Sequence, residues 1–187
     1  MIYKLDHDYQ NCHSLLIDGV ELFNKMPKYK GKFRAKSRID EWVAPDASFF
    51  ASENYEGSGE SIPDITTWLL GNLVLSPRAY DVFADLLGIS GEFLPIHIGS
   101  ETYYIFNTLY IIPEKGIDTY KAVDVIDSGV HMGQDNVLFK AEALDANLVF
   151  KTPTDKLCYT YATETFVELF KKHKFGGLTF EPIVLWL

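Results

Sequence analysis

Apolar residues along this chain fall into a unit that occurs twice: a short apolar strand, a capped amphipathic helix, and a glycine step into a strand reading Phe-x-Pro-Ile. In the first copy Leu73, Val74 and Leu75 lead to Ser76-Pro77, helical spacing runs to Leu87, and Gly88 and Gly91 precede Phe93-Leu94-Pro95-Ile96. In the second, residues 157–161 lead to Thr163, helical spacing runs to about residue 174, and Gly176-Gly177 precede Phe180-Glu181-Pro182-Ile183. Ser76 suits an N-cap, Pro77 the first helical position and Gly88 a left-handed stop. Ala79, Val82, Phe83, Leu86 and Leu87 then form one apolar stripe, expected to face the core. The second helix is built alike: Thr163 caps it, Phe166, Leu169 and Phe170 form the stripe, and Lys171, Lys172, His173 and Lys174 face the negative end of its dipole. Neither proline can donate to a ladder, so Pro95 and Pro182 are expected at an edge, a strand end or a bulge.

Elsewhere the pattern alternates in short runs. Residues 2–5 and 14–23 read as short strands around the hairpin signal Asp18-Gly19. Residues 64–70 suit either a short helix capped by Asp64 or, given their β-branched content, a strand. Strands are expected over 92–98, 102–110, 120–126, 137–143 and 148–151, with antiparallel neighbours. The fold class is α+β: a mostly antiparallel sheet with two amphipathic helices in a repeated strand-helix-strand unit. Residues 53–60 are the clearest loop, and a weak lobe boundary falls near 53–62 of what reads as one domain over 1–187.

Charge changes this picture. The chain carries 17 basic and 26 acidic residues, a net charge of −9. Seven of the bases lie between residues 25 and 38, where no acid occurs, which leaves ten bases against 26 acids elsewhere. Lys28, Lys30, Lys32, Arg34, Lys36 and Arg38 occupy every second position, so an extended strand would line all six on one side. Tyr29, Phe33, Ala35 and Ile39 would share the other. Such a strip is a solvated edge strand or mobile loop that the bases protect from edge pairing, or a docking strip for an acidic partner. Nucleic acid is not expected, because the acidic remainder repels phosphates. Trp42 follows the strip and precedes Pro45, as an interface anchor or as the core anchor of a loop. The other aromatics, among them Trp68 and Trp186, supply core area.

Composition bounds the rest. With 187 residues, 47% apolar content and mean hydropathy near zero, the chain has enough apolar material for a substantial core. No apolar run approaches the roughly 18 residues a spanning helix needs, and the first residues lack the pattern of a secretory signal, so a cytoplasmic location is expected. Cys12 and Cys158 are too few for a disulfide framework.

No phosphate-binding glycine loop, nucleophile elbow, HExxH helix or paired CxxC occurs. Asp6, His7, Asp8, Cys12 and His13 are metal-ligand types whose spacing matches no ligand pattern, so no metal and no cofactor are expected. His131, near Asp127 and Asp135, and His97, inside an apolar strand, are the remaining candidates for acid-base work.

Several landmarks recur in a fixed order: Trp42-Val43-Ala44-Pro45, Ile62-Pro63-Asp64, Leu73-Val74-Leu75-Ser76, Gly91-Glu92-Phe93-Leu94-Pro95-Ile96, Tyr103-Tyr104-Ile105-Phe106-Asn107 and Gly177-Leu178-Thr179-Phe180-Glu181-Pro182. This order resembles a bacterial immunity-protein family, number eleven among the immunity families of polymorphic toxin systems, first catalogued as a domain of unknown function. The resemblance covers residue 42 to the C-terminal end. It implies an α+β cytoplasmic protein that binds and neutralises a cognate toxin, with no catalytic residues to carry over. The basic strip lies outside the shared pattern, and its partner role rests on charge alone. The alternative is a small hydrolase or transferase whose site is assembled from dispersed residues such as His97, His131 and nearby acids.

Overall fold

The structure, a computed structural model, describes residues 1–28, 33–51, 61–69 and 71–183. Along the chain come β1 (Ile2–His7), β2 (Ser14–Ile17), α1 (Gly19–Lys25), β3 (Ala47–Phe50), β4 (Ile65–Trp68), β5 (Asn72–Leu75) and α2 (Pro77–Leu87). Next are β6 (Gly91–Ile98), β7 (Glu101–Thr108), β8 (Ile117–Asp118), β9 (Val123–Asp127), β10 (Val130–Asp135) and β11 (Leu138–Phe139). The last elements are β12 (Val149–Phe150), β13 (Tyr161–Thr163), α3 (Glu164–Lys172) and β14 (Leu178–Pro182). The fold is α+β, and the ladders between these strands are antiparallel.

Two four-stranded sheets organise it, ordered β4-β5-β7-β6 and β12-β13-β1-β14. In the first, β5 and β6 flank β7; in the second, β13 and β14 flank β1. Each flanking strand is antiparallel to the strand between, so β5 runs parallel to β6 and β13 parallel to β14. Both sequence repeats are therefore strand-helix-strand units split by a third strand, with β4 and β12 in equivalent outer positions. Pro95 and Pro182 both lie on edge strands, as their missing N–H requires.

The two helices share one core. Ala79, Phe83 and Leu87 of α2 and Phe166, Val167 and Phe170 of α3 are buried with Leu5, Ile65, Leu73, Leu75 and Phe106 from the two sheets. The Phe83 and Phe166 rings stack with centroids 4.9 Å apart. Arg78 joins the helices at the surface: its guanidinium pairs with both oxygens of Asp64, donates to the carbonyls of His173 and Lys174, and lies 4.5 Å from the Phe175 ring centroid. Next to it the sheets meet, where the N–H groups of Asp64 and Ile65 donate to the Gly176 carbonyl. Gly177 is required at this seam, since its φ is +111° and a Cβ would collide with the Ile65 carbonyl and Pro63.

Each sheet has a second face with its own cover. On β4-β5-β7-β6 that face carries Trp68, Val74, Leu94, Ile96, Tyr103 and Ile105, packed beneath the antiparallel β2-β3 pair, α1 and Phe33. On β12-β13-β1-β14 it carries Ile2, Phe150 and Tyr161, packed with Ile112, Ala143 and Leu144 from the segment between β7 and β12.

Local differences from the sequence reading have physical causes. Asp18-Gly19 opens α1 instead of a hairpin: the Asp18 carboxylate accepts from Val20 N, and Glu21 pairs with Lys25 one turn on. Ser76 caps α2 as expected, but Gly88 is right-handed (φ −55°), and Leu86 is 41% exposed because the buried stripe narrows to Ala79, Phe83 and Leu87. Thr163 has the extended backbone of a cap, yet its hydroxyl caps nothing. Residues 65–68 resolve as strand β4. Residues 137–143 give only β11 and a short 3-10 turn, and the second unit's first strand begins at Tyr161, after left-handed Lys156 and Leu157. The loop at 53–60, Lys30, Lys32 and Trp186 lie outside the described residues.

Candidate functional site

The basic strip is a braced cover instead of an extended strand where it is described. Arg34 and Ala35 have φ of 47° and 52°, which turns the chain and breaks the alternation of bases. The turn drives Phe33 into the core against Trp68 and Trp42, with ring centroids 6.0 and 6.1 Å away. Glu92, on edge strand β6, holds the chain beyond this turn: its carboxylate accepts from the Ser37 hydroxyl (2.6 Å), the Arg38 amide (2.6 Å) and the Asn107 side chain (2.8 Å). Asn107 also donates to the Lys36 carbonyl at 2.8 Å. The Trp42 indole donates to the Pro95 carbonyl (2.8 Å), and the half-buried ring packs on the cluster around Phe33, so Trp42 anchors this loop. Lys28, Arg34 and Lys36 are exposed, while Arg38 is half-buried and pairs with Glu41.

A second feature had no signal in the sequence reading. A pocket of about 390 Å³ opens on the outer face of β12-β13-β1-β14. Its floor is one row across the sheet, because residues directly opposite in antiparallel register share a face: Tyr161, Lys4 and Glu181. The β9-β10 hairpin overhangs it, contributing Val125, Met132 and Asp135, and the turn at 153–159 closes another side. Gly133 lets the two approach, since with φ of +144° its Cβ would meet Thr154 O at 2.7 Å. The Lys156 ammonium also donates to the His131 carbonyl, tying turn to hairpin.

Asp155, in the pocket lining, and Lys151 are both buried charged groups. Asp155 is 7% exposed; one oxygen accepts from Cys158 N (3.1 Å), the other from Tyr159 N (3.3 Å) and the Tyr161 hydroxyl (3.0 Å). Burial raises its carboxyl above the usual range, although these donors and Lys151 pull it down. Lys151 is 1% exposed and donates to the Leu157 carbonyl; burial pushes its ammonium down to about 8, against the attraction of Asp155. Burial, then Asp155, pushes the Tyr161 phenol up, so it stays a donor. With both oxygens of Asp155 accepting protein donors, the group fixes the 155–161 turn and is poorly placed to take a proton from a ligand.

The histidines do not gather at this pocket. His131 Nε2 lies 3.2 Å from Asp124 on the same exposed hairpin, and His97 is exposed on β6, in the other sheet. His7 is buried between strands, with Thr66 Oγ1 2.6 Å from Nδ1 and Ser14 Oγ 3.4 Å from Nε2. Among the described residues no three His, Cys, Asp or Glu side chains stand close enough to hold a metal ion. Nor is any helix there long and apolar enough to cross a membrane. No family model matches the chain, and no curated protein matches it.

Proposed function

We propose that this chain is a cytoplasmic immunity protein of a bacterial polymorphic-toxin system, neutralising its cognate toxin by binding. The observation that carries this reading is charge segregation on a braced support: Arg34 and Lys36 are exposed on a segment fixed by Glu92, Trp42 and Phe33, with Lys28 exposed before it, in an otherwise acidic molecule. A braced segment loses little further freedom on docking, and a localised basic patch speeds and orients encounter with an acidic surface. The ordered landmarks from Trp42 to Pro182 support the same reading by resemblance. The partner is a toxin with an acidic docking face. Trp42 contributes by holding the strip in place.

The test is to co-express the neighbouring toxin with this protein and with a variant in which Lys28, Lys30, Lys32, Arg34 and Lys36 are changed to Ser. Association should slow in the variant, most at low salt, with dissociation little changed. Equal association rates at both salts remove the strip from the mechanism, and failure of the unaltered protein to bind any adjacent gene product removes the immunity reading.

A further inference from the structure

The pocket beneath the β9-β10 hairpin has the chemistry of a cation seat. Three aromatic rings line it: Tyr159, Tyr161 and Phe139. Its charged lining is Asp135, Asp155 and Glu181 against Lys4 alone. The volume, about 390 Å³, is in the range of small-ligand sites, which span roughly 300 to 1,000 Å³. One cation already occupies part of it. The Lys4 ammonium lies 4.0 Å from the Tyr159 ring centroid and 3.6 Å from the Glu181 carboxylate, so the ring face and the acid act together on an alkylammonium of the protein itself. The lining also includes Asp135 and Met132 of the β9-β10 hairpin.

We propose that this pocket binds an alkylammonium or alkylguanidinium group, seated between the Tyr159 ring, Glu181 and Asp135, with Lys4 as the internal competitor that the ligand displaces. The source is either a free aliphatic amine or a lysine or arginine side chain of a bound protein, which share this chemistry. The inference goes beyond the immunity reading and does not depend on it, since the probes below are small molecules used with no toxin present.

The experiment titrates the full chain with cadaverine, following backbone amide shifts, with pentan-1-ol and hexanoate as neutral and anionic controls of similar length. Cadaverine should shift amides of the 132–136 and 155–161 segments and of Lys4 and Glu181, and the controls should not. Lys4→Met should tighten binding about two- to fivefold by freeing the ring face. Asp135→Asn with Glu181→Gln should weaken it about three- to tenfold. Unchanged amides in the helical core show that each variant is folded. A blocked lysine, Nα-acetyl-lysine N-methylamide, separates the sources: binding of it assigns the seat to a basic side chain, and binding of cadaverine alone assigns it to a free amine. Shifts elsewhere only, equal response to pentan-1-ol, or weaker binding by Lys4→Met overturns the proposal.

Discussion

Phe83 and Leu86 are separated by three positions on α2, yet they meet different surroundings. Phe83 is fully buried, stacked on Phe166 and near Phe175, whereas Leu86 is 41% exposed. Phe83→Ala should therefore cost about 3 to 5 kcal/mol in denaturant melts, and Leu86→Ala should change stability by no more than about 0.5 kcal/mol. Equal losses would place Leu86 in the shared core. His7 carries a different kind of dependence. Burial pushes its imidazole below the ordinary value of 6.5, outweighing the pull of Asp8 and Asp6. A histidine lowered on folding binds its proton more readily when unfolded, so its contribution is intact above pH 6.5 and is lost as pH falls through the folded value. The denaturation midpoint should drop between about pH 7.5 and 5.5, and His7→Gln should flatten that drop. An identical slope in the variant would assign the acid sensitivity to other groups.

Among the elements, the cover over residues 33–42 depends on one acid from a neighbouring strand. Glu92 accepts three bonds from this segment and from Asn107, and bonds to a charged acceptor contribute about 1.5 to 3 kcal/mol each where they are buried, less where water competes. Glu92→Ala should raise hydrogen exchange at residues 36–42 and red-shift Trp42 emission, while the α2 and α3 amides keep their protection. Loss of protection everywhere would mean that the cover and the core open together. Elements with local signals were legible in the sequence: Ser76-Pro77 for α2, and the apolar, aromatic-rich runs of β6 and β7. α1 was not, because seven residues carry little periodicity and Asp18-Gly19 serves a cap as well as a turn. Bases at every second position suggested a strand, but burying Phe33 outweighs alternation and turns the chain at Arg34. The pocket was illegible for another reason. Its residues come from β1, the β9-β10 hairpin, β11, the 153–159 turn, β13 and β14, and only the sheet registers bring Lys4, Tyr161 and Glu181 into one row. Thr152-Pro153 marks a capped turn start before Asp155, which by itself says nothing of a cavity.

At the scale of the molecule, two split strand-helix-strand units back onto one helical core and differ chiefly in where the dividing strand comes from. In the first unit β7 follows β6 directly, so the whole sheet is made from residues 65–108. In the second, the dividing strand is β1, whose residues 2–4 pair with 161–163 and 3–7 with 178–182. This asymmetry sets an order in time. Local pairings close small loops and form early, whereas pairings across most of the chain wait for the rest to bring their ends together. In chevron analysis Leu73→Ala should slow folding, with φ above about 0.5, and Leu5→Ala should mainly speed unfolding, with φ below about 0.3. The reverse ranking would mean that the end-to-end sheet nucleates the fold. On the ribosome β1 is made before either of its neighbours, and it stays without them until β13 and β14 emerge. Until then the nascent chain carries an unpaired strand with Ile2 and Leu5 uncovered, the kind of surface that chaperones bind.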